Sequence, residues 1–314
     1  MIQVTIRIAL FYCLIFVCCG PMQKDNKTSN EVIKSRTTEI KQSVQQDSNY
    51  NFEIPSETFV LDRNLSEISS LAYSNEDNTF ITNNDESGHI FILDPNSFKI
   101  ISREKFAKRG DYESIEKIGD DIIVCKNTGK LYFYNETSKE TTTYNTELSA
   151  KNDVEGLCYE KSSNSLLLAC KGHPLAKTDS KKNEKCIYKF DLEQKKLISE
   201  PFLSISDSEL KSYVASTFAN KSKSKLKKLK NKVKYFSPSG IAIHPVSGDY
   251  FLISAKGSLL VIIGKNKVLK EIAFLNNKTN PQPEGICFDK KNNLYISTEG
   301  KGFSGKIFKF NYNG

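Results

Sequence analysis

An all-β fold, a β-propeller of five blades, follows from three features of this sequence. A small residue leads into a short apolar run at Ser70, Ser114, Gly156, Gly240 and Gly285, at intervals of 44, 42, 84 and 45 residues. Repetition at a few tens of residues marks a unit that stacks on copies of itself to bury its core, and four strands fill this period. The clearest copy is the last: Glu284-Gly285 enters the run Ile286-Cys287-Phe288, a polar turn follows, and Leu294 to Ser297 returns. β-branched and aromatic runs separated by Asp, Lys and Asn turns read as hairpins. The third feature is the interval of 84, twice the others, which calls for an insertion.

Taken in order, the first blade runs through Ile68–Tyr73, Thr79–Asn83, His89–Leu93 and Lys99–Phe106, and the second through Glu113–Ile118, Asp121–Cys125, Lys130–Tyr134 and Thr141–Leu148. The third uses Val154–Tyr159, Ser165–Cys170, Cys186–Asp191 and Lys196–Ile205, and the fourth Gly240–His244, Tyr250–Ser254, Leu259–Ile263 and Val268–Leu275. The last has Gly285–Asp289, Leu294–Ser297 and Gly305–Asn311, and the chain then stops one strand short. Asn51 to Val60 resembles the outer strand Lys196 to Leu203, and Pro55 is tolerated on an edge strand. The N-terminal strand is therefore expected to complete the last blade and close the ring, removing its open edges.

Within the doubled interval, Ser206-Asp207-Ser208-Glu209 has the capping-box pattern, and Leu210, Tyr213, Val214 and Phe218 follow at helical spacing. Leu226, Leu229, Val233 and Phe236 repeat the spacing, so residues 206–236 read as an inserted helix pair. A sixth blade hidden there is the second choice.

Before the propeller, one basic residue (Arg7) and an apolar run from Ile8 to Val17 meet Cys18-Cys19-Gly20. The run is too short for a stable membrane span and has the layout of a secretory signal. Residues 1–19 are expected to be a lipoprotein signal peptide with Cys19 as the lipidated residue, the alternative being an ordinary cleaved signal. Residues 20–48, rich in Lys, Asn, Ser, Thr and Gln, form an expected disordered tether, and residues 49–314 the propeller. Cys125, Cys158, Cys170, Cys186 and Cys287 are odd in number and show no C-x-x-C spacing, so they read as small buried hydrophobes.

Net charge is +8, and after the signal it is +7. Asp207 to Tyr235 alone holds nine Lys against two acidic residues, so the basic character belongs to the insertion. Such a cluster is either a solvated face or a surface for an acidic partner or anionic lipid. Nucleic acid is not an expected partner of an exported chain with so few aromatics among its lysines. A monomer is expected.

The first strand of each blade lines the central channel, so equivalent positions at its start form a ring: Ser69, Glu113, Glu155, Ser239 and Glu284. A second ring, at the end of the next strand, holds Asp85, Glu86, Lys126, Asn127, Lys171, Lys256 and Glu299. Converging carboxylates repel unless a cation offsets them. Glu113, Asp153, Glu155 and Glu284, with Asn152 nearby, are candidate ligands for Ca2+ or another hard cation. The alternative is neutralisation by Lys126, Lys171 and Arg109. Asp85, Glu86, Asn127, Lys171 and Glu299 are the candidate ligand-binding residues at this mouth.

The succession LSEISSLAY, NNDESGHIFILD, DYESI, NDVEGLCY, LLLACKG, SPSGIAIHP, PQPEGICFD and LYISTEG, from Leu65 to Gly300, resembles the SdiA-regulated (YjiK-like) family of exported bacterial propellers. More distantly it is similar to regucalcin/gluconolactonase and NHL-repeat propellers. The resemblance implies an exported propeller with no firmly assigned reaction; the expectation is a domain anchored at the outer membrane, facing the periplasm or the surface, whose channel mouth binds a small ligand or a cation, or whose rim binds an envelope protein. Kinship with gluconolactonase implies the alternative of a metal-dependent lactonase or esterase, and regucalcin-like propellers hold a metal in a comparable place. The three His, at 89, 173 and 244, offer little general-base chemistry, and no G-x-S-x-G elbow, H-E-x-x-H or phosphate-binding loop occurs.

Overall fold

Five four-stranded antiparallel sheets make up the propeller, four of them hydrogen-bonded in chain order from the channel outward and the fifth with the first strand of the domain on its outside. The computed structural model describes residues 49–175, 184–276 and 282–314; the expected signal, lipidated Cys19 and tether lie outside the described residues. Blade 1 contains β2 (Ala72–Ser74), β3 (Thr79–Asn83), β4 (His89–Leu93) and β5 (Ile100–Lys105). Blade 2 contains β6 (Tyr112–Ile118), β7 (Asp121–Lys126), β8 (Leu131–Asn135) and β9 (Thr141–Tyr144). Blade 3 is β10 (Val154–Glu160), β11 (Ser165–Cys170), β12 (Glu184–Asp191) and β13 (Lys196–Ser206). Blade 4 is β14 (Gly240–Ile243), β15 (Tyr250–Ser254), β16 (Leu259–Ile263) and β17 (Leu269–Phe274). Blade 5 takes β18 (Pro283–Phe288), β19 (Leu294–Thr298) and β20 (Lys306–Phe310) from the C-terminus and β1 (Glu57–Val60) from the start of the domain.

Ring closure thus occurs as expected. β1 runs antiparallel to β20 with Glu57 opposite Lys309 and Val60 opposite Lys306, and Lys309 Nζ lies 2.6 Å from Glu57 Oε1. Phe59 packs against Phe98 of blade 1 with the rings tilted and their centroids 4.5 Å apart, so the closing strand also bridges to the first blade.

Burial explains the order of strands. β18 is buried at every position, whereas the outer β5 alternates exposed and half-buried. Apolar side chains gather between blades: Phe80, Phe91 and Leu93 of blade 1 meet Cys287, Tyr295 and Ile307 of blade 5 in one such cluster. The five described cysteines are buried in these layers.

The recurring small residues mark where inner strands approach most closely. A Cβ on Gly285 would sit 2.5 Å from Leu71 N, and one on Gly240 would sit 2.7 Å from Glu284 O. Between these positions the channel narrows to a cavity of about 10 Å³, at the limit of a single water. The channel is therefore pinched shut at this level and has two separate mouths.

The doubled interval holds two helices, α1 (Asp207–Thr217) and α2 (Lys223–Lys234). Ser206 Oγ accepts from Glu209 N at 3.1 Å and Ser222 Oγ from Lys225 N at 3.3 Å, which starts each helix at its cap. Leu210, Val214, Leu229 and Val233 join Ile205, Ile241 and Val261 in the core between blades 3 and 4. Among the described residues no helix is long and apolar enough to cross a membrane.

Candidate functional site

The three glutamates of the inner ring share a backbone device. On β6 the register against β7 slips between Tyr112 and Ser114, leaving Glu113 as the extra residue. On β10 it slips between Val154 and Gly156 at Glu155, and on β18 between Pro283 and Ile286, the interval holding Glu284 and Gly285. A bulge of one residue re-aims a side chain out of the alternation a strand imposes. Here it sets a glutamate at the same level of three blades. Glu155 and Glu284 are buried, and Glu113 is half-buried.

Glu155 stands among them, and its charge acts on both Glu113 and Glu284. Burial, then Glu155, then Asp111 push the Glu113 carboxyl up to about 9. Burial, then Glu155, then Glu299 hold Glu284 well above the ordinary carboxylate range. Glu155 is raised by burial, against the pull of Lys171, whose Nζ lies 2.7 Å from Glu155 Oε1. The ring is thus a set of carboxyls whose ionisation is disfavoured by burial and by their acidic neighbours.

A second tier lies above. Burial, Glu67 and Asp85 push Glu299 up to about 7, while Gln282 Nε2 donates to Glu299 Oε2 at 2.5 Å. Asp85 is raised by burial and by Glu86, Glu67 and Asp111, and its Oδ1 is buried without a hydrogen-bond partner. Asp111 accepts from Asn127 Nδ2, and Glu86 pairs with Arg109. Asp153 adopts φ 53°, the left-handed region that Asp tolerates better than most residues.

Of the residues singled out in the sequence, Glu155 acts on Glu113, Glu284 and Glu299, Glu299 also acts on Glu284, and Asp85 acts on Glu299. Asp153 acts on Glu155. Asn152 instead serves the local loop, accepting from Ser149 N at 2.8 Å and donating to His173 O at 2.9 Å. Of the three expected neutralising cations, Lys171 meets Glu155, Arg109 meets Glu86 at the rim, and Lys126 lies 5.6 Å from the Tyr112 ring centroid. Glu67, Asp111 and Gln282 belong to the mouth but were not singled out. The last two stand two residues before Glu113 and Glu284, and Asp153 stands likewise before Glu155, each just ahead of the inner strand of its blade.

The donor set bears on the calcium expectation. Among the described residues no group of three or more His, Cys, Asp or Glu side chains is gathered to hold one metal ion. The carboxylates are spread over two tiers, and one of them already holds an ammonium.

The other mouth is different in kind. A cavity of about 210 Å³ there is lined by Leu71, Tyr73, Tyr159, Ile243, Pro245 and Phe288 with Glu116. Burial pushes Glu116 up to about 7, and its two oxygens accept from Lys117 N and Tyr159 N, both at 2.9 Å. This glutamate ties adjacent inner strands together. His244 is buried, with Nε2 3.0 Å from the Tyr50 hydroxyl, and stacks on Phe251, a packing role.

The SdiA-regulated family profile matches residues 42–304 of this sequence. The chain belongs to the SdiA-regulated family. The acidic mouth, the pinched channel and the helix pair all lie inside the stretch that carries this SdiA-regulated match. Among solved structures, glutaminyl cyclase of Myxococcus xanthus is similar at a TM-score of 0.53 and 10% identity, covering 82% of this chain and 94% of that one. A streptogramin B lyase is similar at a TM-score of 0.46 and 13% identity, covering 81% and 97%. A luciferin-regenerating enzyme gives 0.45 and 11%, covering 78% and 91%. At these identities the likeness is one of fold alone. No curated protein matches this SdiA-regulated sequence.

Proposed function

We propose that this protein is a binding module of the bacterial envelope whose acidic channel mouth takes an organic cation, a protonated amine or guanidinium. The observation that carries this reading is the convergence of Glu113, Glu155 and Glu284, each at a strand bulge, with Lys171 bonded to one of them. The Lys171 ammonium on Glu155 is an internal example of the ligand chemistry. An ammonium or guanidinium presents several N–H donors spread over a few ångströms, which suits carboxylates that are spaced rather than focused on one point. The unpartnered Asp85 Oδ1 adds an acceptor at the upper tier.

Export and lipid attachment at Cys19 are part of this proposal, supported by the apolar run from Ile8 to Val17 and the Cys-Gly pair that follows it. The pinch at the small residues makes the mouth a cup rather than a pore.

A ligand that binds only the folded state raises its melting temperature by mass action. Melts of the full chain with spermidine, argininamide, calcium, magnesium or a chelator therefore test the reading. Stabilisation by spermidine or argininamide, lost in Glu284→Gln, supports it. Stabilisation by calcium with reversal by chelator supports a metal site and the hydrolase alternative instead, and no shift with any cation leaves a protein-binding scaffold.

A further inference from the structure

We infer that α2 is a docking surface for a bilayer carrying anionic lipid headgroups, and that docking turns the acidic mouth toward the membrane. Lys223, Lys225, Lys227, Lys228, Lys230, Lys232 and Lys234 occupy seven of the twelve positions of this helix, and no acidic residue is among the rest. Among the described residues none of these lysines forms an ion pair with a carboxylate.

The charge pattern works against the stability of the helix itself. Lys223 and Lys225 sit in the first turn, which has no acidic residue, against the positive end of the helix dipole. Lys223–Lys227, Lys228–Lys232 and Lys230–Lys234 are like-charge pairs four residues apart, which repel. Folding alone favours acidic residues at such positions. A local rule broken without a structural gain points to a role outside the fold.

The apolar stripe of α2 is already used. Leu229 and Val233 are buried in the core between blades 3 and 4, with Leu226 packed against it. The helix therefore lies fixed on the propeller as a cationic plate, and its outward lysines are available to a flat anionic surface without unfolding or insertion. Tyr235, 58% exposed at the C-terminal cap, offers the kind of aromatic ring that sits at headgroup level.

Position adds the consequence for the mouth. The helix pair connects the end of β13 to the start of β14, the end of blade 4 where the inner strand begins and Ser239 joins the ring. The turn between β15 and β16 touches α2 there, since a Cβ on Gly257 would lie 2.8 Å from Lys232 O. The plate and the cup share one face of the ring, and a bilayer against the lysines faces the cup. A lipid surface is favoured over a soluble polyanion because the chain carries an N-terminal signal and Cys19 that the proposed function assigns to membrane attachment.

The test is vesicle co-sedimentation of the full chain and of a Lys223→Gln, Lys225→Gln, Lys227→Gln, Lys228→Gln variant, with neutral phosphatidylcholine vesicles and with vesicles containing phosphatidylglycerol. Neutral vesicles measure whatever the N-terminal segment contributes. The extra binding to anionic vesicles is expected to fall with salt and to drop in the variant by roughly five-fold per lysine, several hundred-fold in all. A thermal melt confirms that the variant is folded; loss of the four charges is expected to leave it at least as stable. Equal binding of both proteins to anionic vesicles overturns the inference, as does lysine-dependent binding to soluble polyphosphate as tight as to vesicles. Spermidine titration of the mouth in solution is independent of these lysines, so failure on vesicles leaves the cup reading intact.

Discussion

Lys171 Nζ lies 2.7 Å from Oε1 of Glu155, and this pair ties the second ring of the mouth to the first. The lysine stands at the end of the second strand of blade 3 and the glutamate on the bulge of its first, so one hairpin supplies both charges. Replacing Lys171 by Met leaves Glu155 buried beside Glu113, Glu284 and Asp153 without its cation. The expected cost is about 3 kcal/mol at pH 9, where the carboxylates are more ionised than at pH 6. At pH 6 protonation relieves the same site, so the loss is smaller. Thermal melts of both proteins at the two pH values check this; an equal loss at both contradicts it.

The folded protein should lose stability as pH rises. Glu113 titrates near 9 and Glu299 near 7 in the folded state, with Glu284 raised as well. Unfolded glutamates titrate near 4.3. Between those values the native state holds more protons than the unfolded one, so the stability these groups contribute is present below the unfolded pKa and disappears as pH climbs through the folded values. Glu113→Gln is expected to flatten the decline between pH 5 and 9. Denaturant midpoints across that range would show a curve unchanged by the substitution if the coupling is absent.

The pinch in the channel depends on having no side chain at Gly285. A Cβ there would meet Ser297 Oγ at 2.4 Å, Leu71 N at 2.5 Å and Ser70 C at 2.5 Å, and the two backbone neighbours cannot yield as a flexible side chain can. Gly285→Ala is expected to cost about 1–3 kcal/mol by overpacking. Urea denaturation measures it, and a neutral result would mean that the blades slide apart freely.

Much of this architecture was legible before any coordinates. The five small residues, the closing strand and the helix pair could be read because packing and capping leave marks of fixed period: a Gly where strands meet, a Ser three residues before Glu209. The ring of Glu113, Glu155 and Glu284 was also visible, since equivalent positions in repeats occupy equivalent places. The bulges that aim these glutamates were hidden, because a one-residue slip in pairing changes no residue type. Glu67, Asp111 and Gln282 went unread for a related reason. They matter through the tier they form across blades, a relation that exists only once the ring is closed. The partnering of Lys171 rather than Lys126 with the glutamates likewise depends on where two long side chains end, which spacing does not encode.

Closure by β1 makes the ends of the chain interdependent. A chain beginning at residue 62 lacks the strand paired with β20 and the Phe59–Phe98 contact. It exposes β20 as an open edge, a template for pairing with other chains. Size-exclusion chromatography is expected to show association and a melting temperature several degrees lower. A truncated protein that stays monomeric with an unchanged melt would show that β1 is dispensable.

The central claim, that carboxyls brought together from separate blades form a cup for an organic cation, is tested most directly by calorimetric titration of the full chain with spermidine at pH 7 in two buffers of different ionisation enthalpy. Because Glu113, pushed up to about 9, holds a proton there, binding is expected to release protons, so the measured heat differs between buffers, and Glu155→Gln weakens binding. Heat that is identical in both buffers and unaffected by Glu155→Gln would contradict the account.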